Sequence, residues 1–152
     1  AQVVPPEHEQ ALVLDASFLA KSGRQTYGLD RFWNGTAGRA ENGLEISALA
    51  WLDITANQAY RLSVEQTPAA VKGSDNAALD DSRLDAYLAQ LRWVVERHAL
   101  QRLKYVITAG YYSKVKFLDG VIKLGLQQIG KLRCDADRAH SHFPGQAANS
   151  ER

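Results

Sequence analysis

A chain of 152 residues with 45% apolar and 23% charged side chains has the make-up of one soluble globular domain, long enough to bury a core. Its net charge of +1 excludes a global field drawing it to nucleic acid or anionic lipid, so any basic surface is local. The single cysteine, Cys134, excludes an internal disulfide and fits a reducing cytoplasm; no apolar run approaches membrane-spanning length.

Residues 1–10 carry Pro5 and Pro6 among polar side chains and predict an extended lead-in. The run ALVLDASF (11–18) predicts a strand buried on both faces by Ala11, Leu12, Val13 and Leu14, with Asp15 emerging where the strand leaves the core. A carboxylate there either has a partner or a metal, or caps a turn through nearby backbone N–H groups. Residues 21–43 hold Gly23, Gly28, Gly35, Gly38 and Gly43, the cations Lys21, Arg24, Arg31 and Arg39, and Tyr27, Phe32 and Trp33. Two readings stand level: a loop that contacts phosphates and bases, or a solvated hairpin flap whose aromatics cover the core edge.

From Leu44 the pattern alternates. Leu44, Ile46, Ala48, Ala50, Leu52 and Ile54 predict a strand with that face on the core, while Glu45, Ser47, Leu49, Trp51 and Asp53 form a partly covered second face. Asn57 suits a reversal, and Tyr60, Leu62 and Val64 resume the alternation as the second strand of an antiparallel hairpin ended by Pro68. Residues 81–98 predict a helix through Leu84, Leu88, Leu91 and Val95, with Ser82 and Asp85 resembling a capping box at its start. His98 at its far end suits a helix terminus, with no second histidine at metal-binding spacing from it; His140 and His142 form an HxH pair but lie in a polar tail and are discounted. The run KYVIT (104–108) predicts a buried parallel strand followed by Ala109 and Gly110. Ser113 is placed to cap a second helix through Phe117, Leu118, Val121 and Ile122, stopped by Gly125. Residues 126–132 predict a further strand, and 138–152 a disordered tail. The order strand, hairpin, helix, strand, helix, strand gives an α/β fold: a mixed sheet flanked by helices, with chemistry at the carboxyl ends of its parallel strands, where Asp15 and Ala109 would lie side by side.

The segments VLDASFLAKSGRQTYGLDRFWNGTAGRAENGLEISALAWLDI, YVITAGYYSKVKFLDGV and IGKLRCDAD together resemble the catalytic domain of bacterial insertion-sequence transposases of the DDE type, nearly continuously from Leu12 to Asp137. The resemblance implies a ribonuclease-H-like fold over 11–137, incomplete at its C-terminus, and a cytoplasmic protein that acts on DNA at transposon ends, not on membranes, with a homodimer among the assemblies it allows. It also implies a site of three acids holding Mg2+ or Mn2+. The first acid corresponds to Asp15, the second position is occupied by Ala109, and the third, a Glu, has no counterpart because the pattern departs after Asp137.

Two adjacent divalent ions need several carboxylates to offset their repulsion, so the chain as written is expected to be inactive: a fragment or degraded copy of a transposase. Asp135 and Asp137 are poor substitutes, since ligands must be placed to within about 0.5 Å. The alternative is a binding module without chemistry that keeps the fold and contacts DNA phosphates through Lys21, Arg24, Arg31, Arg39, Lys114, Lys116 and Arg133. A third reading, without a selected role, has one sheet face bare and prone to self-association.

Overall fold

The computed structural model describes residues 4–23, 25–70, 76–98, 100 and 103–131. The elements are β1 (Gln10–Ala20), β2 (Asp30–Asn34), β3 (Arg39–Asp53), β4 (Gln58–Gln66), α1 (Asn76–Arg97), β5 (Tyr105–Thr108), α2 (Val115–Lys123) and β6 (Gln127–Gly130). A short 3-10 turn, Gly110–Tyr112, joins β5 to α2.

The six strands form one mixed sheet in the order β2-β3-β1-β5-β6, with β4 also on β3. β1 pairs antiparallel with β3 along its whole length, from Gln10 opposite Asp53 to Ala20 opposite Gly43. On its other side β1 pairs parallel with β5 over Leu12–Leu14 only, and β5 pairs parallel with β6. Register and burial then assign the faces. Leu12, Leu14, Leu49 and Val106 point to one side and pack against Leu84, Leu91 and Val95 of α1 and Phe117 and Val121 of α2. Gly120 permits this packing of the two helices, since a Cβ there would lie 2.5 Å from a Leu88 methyl.

Several expectations are corrected. The lead-in is not simply extended: Val4 is fully buried, the His8 N–H closes a turn on the Pro5 carbonyl, and His8 Nδ1 meets both Asp53 carboxylate oxygens at 2.8 and 2.9 Å. Within this stretch residues 30–43 form a hairpin, β2 with the start of β3, which supports the flap reading. The alternation of β3 is real, but its core face is the other one. Leu49 is buried there, and its polar neighbours are satisfied by α1: Ser47 Oγ donates to Gln90 Oε1 at 2.6 Å, and the Tyr87 hydroxyl donates to Glu45. Because Ser47 and Glu45 find partners in Gln90 and Tyr87, a face rich in Ser and Glu can be buried while the apolar one stays half open. Helix α1 begins at Asn76, extended by the strong helix formers Ala77, Ala78 and Leu79, so Ser82 lies within it and caps nothing. Ser113 does not cap α2 either; Lys114 holds that position, and Ser113 Oγ donates instead to the Lys131 carbonyl at 3.0 Å. Asn57 and Gly125 do occupy left-handed backbone at the reversal and the helix stop, with φ of 53° and 77°. The expected tail, 138–152, lies outside the described residues.

Candidate functional site

Leu14 and Thr108 are partners in the parallel register of β1 and β5, so Asp15 and Ala109 are the next residues on two neighbouring strands. β5 stops at Thr108, whereas β1 runs on to Ala20. Among the described residues no strand therefore pairs with this side of β1 beyond Leu14, and Asp15 and Ala109 are both exposed. Asp15 sits inside the strand, opposite Ala48, and its carboxylate bonds no neighbouring N–H among the described residues; it is not a turn cap. Alternation places it with Val13 and Ser17, on the sheet face away from α1.

A cavity of about 480 Å³ opens beside this pair, lined by Asp15, Ala16, Trp33, Glu45, Arg83, Tyr87, Ala109, Tyr111 and Tyr112. Arg83 builds one wall: its guanidinium lies 4.3 Å from the centre of the Phe32 ring and donates to Asp30 at 3.2 Å and to the Arg31 carbonyl at 3.3 Å, fastening β2 to α1. Tyr87, one turn further along the same helix face, reaches Glu45. Burial, with Glu45 beside it, pushes the Tyr87 hydroxyl well above the usual tyrosine range. Tyr112 is pushed up in the same way, by burial first and then by the field of Tyr87, Glu45 and Asp15. Its Oη and the Nε of Arg83 are buried without a hydrogen-bond partner.

The predicted cations divide. Lys21 is exposed just past the end of β1, and Lys114 Nζ lies 4.7 Å from the centre of the Tyr111 ring, on the cavity wall. Arg31 and Arg39 stand on the β2–β3 hairpin. Arg31 is exposed and donates to the Ala40 carbonyl at 3.0 Å, and Arg39 pairs with Glu41 at 2.7 Å. Lys116 is committed elsewhere, 2.9 Å from Asp85 and 3.5 Å from Asp81, and the Asp85 bond holds its ammonium above the ordinary lysine value. Arg24, Arg133, Asp135 and Asp137 lie outside the described residues. Arg83 and Tyr87 were missed by the sequence reading. Their spacing of four on α1 was the available signal, but it does not say which strand they face.

The model for DDE superfamily endonucleases matches residues 1–151, essentially the whole chain. The chain belongs to this family. A search of curated proteins found no match. Among solved structures, a piggyBac transposase in a synaptic complex with hairpin DNA is similar over 82% of this chain, with a TM-score of 0.51 and 14% identity. The chain spans 23% of that protein's length. At this identity the likeness shows the fold alone: the mixed sheet with its two helices is the ribonuclease-H-like α/β architecture of a transposase core.

DDE superfamily endonucleases in general use divalent ions. Among the described residues of this DDE chain, no group of three or more His, Cys, Asp or Glu is placed to hold one. Asp15 has the methyl of Ala109 as its neighbour across the strand tips, and Glu45, which lines the same cavity, is bonded to Tyr87. These residues do not fit a paired-ion site.

Proposed function

We propose that this chain is a degraded copy of a DDE transposase core that binds DNA and, as written, does not cut it. Ala109 beside Asp15 is the observation that carries the reading. Hydrolysis of a phosphodiester and transfer of the freed 3′-hydroxyl both require stabilising a developing charge on oxygen. One exposed carboxylate supplies little of the negative charge that would gather two cations there. Exposed Lys21 and the hairpin residues Arg31 and Arg39, with Lys114, offer phosphate contacts at the end of the sheet where Asp15 lies. That end is suited to transposon-end DNA, with bacterial insertion sequences the source class suggested by the sequence. A cytoplasmic location accords with the lone cysteine.

The test has two arms. Incubated with terminal-repeat DNA and Mn2+, the chain is expected to leave both strands intact; metal-dependent cleavage overturns the inactivity. Binding to the same DNA is expected to weaken steeply with salt. Lys21→Ala with Arg31→Ala should weaken it for all sequences and flatten the salt slope by about two, one for each phosphate contact removed. Ala109→Asp should raise Mn2+ affinity, read by electron paramagnetic resonance, because it sets a second carboxylate beside Asp15; an unchanged affinity would show that the two positions do not share an ion.

A further inference from the structure

One stretch of strand edge lacks the devices that keep proteins from pairing edge to edge. β1 is paired to β3 along its whole length, but on its other side it pairs with β5 only as far as Leu14. From Ala16 to Ala20 the backbone is therefore held in strand form by β3, with its other edge open among the described residues. Open edges are normally blunted by shortness, a bulge, proline or an inward charge. β6 has only four residues, and β4 carries a register shift opposite Leu49 and Ala50. Residues 16–20, read ASFLA, hold no bulge, proline or charge. The nearest charges stand just outside the stretch, Asp15 before it and Lys21 after it. Both are exposed, and neither is in an ion pair among the described residues.

We infer that this edge pairs with the same edge of a second copy of the chain, antiparallel about a twofold axis through Phe18. A twofold contact must be self-complementary. Directly opposite residues of an antiparallel pair share a sheet face, so the axis passes through a residue and not between two. Centred on Phe18, it sets Ala16 opposite the partner's Ala20, Ser17 opposite the partner's Leu19, and Asp15 opposite the partner's Lys21. By symmetry the acid–base pair occurs twice, once at each end of the ladder. An axis through Ser17 or Leu19 instead brings Asp15 against Leu19 or Gly23, so only the Phe18 register matches charge with charge. Ala109 presents only a methyl beside Asp15, which leaves room for the partner's Lys21. The ladder gives partners to N–H and C=O groups otherwise left to water, and joins two six-stranded sheets into one. This pairing does not depend on the DNA-binding reading; Lys21 serves either the partner's Asp15 or a phosphate at any one time.

The 152-residue chain is sedimented over a range of concentrations without DNA, and is expected to pass from monomer to dimer. Lys21→Glu sets like charges opposite one another at both ends of the ladder and should raise the dimer Kd about tenfold. Asp15→Lys added to Lys21→Glu restores the pairing in reverse and should recover the parent Kd. In a Cys134→Ser background, Phe18→Cys is expected to oxidise to a disulfide-linked dimer, because position 18 meets itself at a Cα separation that a disulfide spans. Val64→Cys, on β4, should stay monomeric under the same oxidation. A chain that is monomeric at every concentration overturns the inference. A dimer that Lys21→Glu leaves intact, or cross-linking at position 64 equal to that at 18, also overturns it. So does a dimer lost only in Val64→Lys with Ile129→Lys, which is association through the apolar sheet face.

Discussion

At Tyr112 the fold keeps a hydroxyl in its interior with nothing to bond, while one ring away Tyr87 donates to Glu45 and accepts from Thr67 at 3.4 Å. The two residues therefore answer differently to the same substitution. An unmet buried hydroxyl costs about 1–3 kcal/mol of desolvation, so Tyr112→Phe is expected to raise stability by about 1 kcal/mol. Tyr87→Phe removes a charge-assisted bond and leaves Glu45 unpaired at the sheet, a loss of about 1–2 kcal/mol. Denaturant melts of the two variants check this; destabilisation by Tyr112→Phe would mean that its hydroxyl has a partner in solution. Asp15 was legible because a carboxylate following four apolar residues is conspicuous. The meaning of Ala109 came only through resemblance, since an alanine after a strand carries no chemical signal. Arg83 and Tyr87 were illegible as cavity residues because a helix stripe names its apolar face, not the polar partners that the opposing strand provides.

Among the elements, strand and helix identities followed from period, and the errors arose where two patterns competed. Residues 39–53 form one strand of fifteen residues, but its glycine-rich start masked the alternation, so β2 and the first part of β3 read equally as a ligand-contacting loop or as the hairpin flap they form. Gly43 is needed there: a Cβ would lie 2.4 Å from the Leu19 carbonyl oxygen and 2.5 Å from the Phe18 ring. The contact of the lead-in with the β3–β4 reversal was also invisible, because it links residues 45 positions apart. Asp53 there is 3% exposed; burial works against its charge, but the Ala56 N–H, His8 and the Thr55 backbone outweigh that and hold its carboxyl below the ordinary value of 3.8. A carboxyl with a lowered native pKa stabilises the fold above its unfolded value and loses that contribution as pH falls toward the native one. The melting temperature is thus expected to drop on acidification below about pH 4, and more steeply in the parent than in Asp53→Asn, which is less stable at neutral pH. Parallel pH profiles for the two proteins would contradict the assignment.

At the scale of the whole molecule, the sheet is covered on one side only among the described residues. Both helices pack against Leu12, Leu14 and Leu49. The other face presents half-buried Val13, Ile46, Ala50, Leu52 and Ile107, with Val64 at 47% and Ile129 at 49% exposure. Choosing the even-numbered residues of β3 as the core face was reasonable from hydropathy alone, since they are the more apolar set. A contiguous apolar surface of this kind marks a site of association or aggregation, whereas single exposed apolar residues are ordinary. The 152-residue chain is therefore expected to bind an anilinonaphthalene dye in its native baseline, with the near-ultraviolet circular dichroism of a packed core excluding a molten state. Val64→Lys with Ile129→Lys should reduce that fluorescence and any concentration-dependent sedimentation. The stability cost should stay within about 0.5 kcal/mol for each, because both positions are already half in water. Dye fluorescence equal in parent and variant would show that this face is covered in solution. The acid at position 15, which shares it, would then be less open than its exposure here implies.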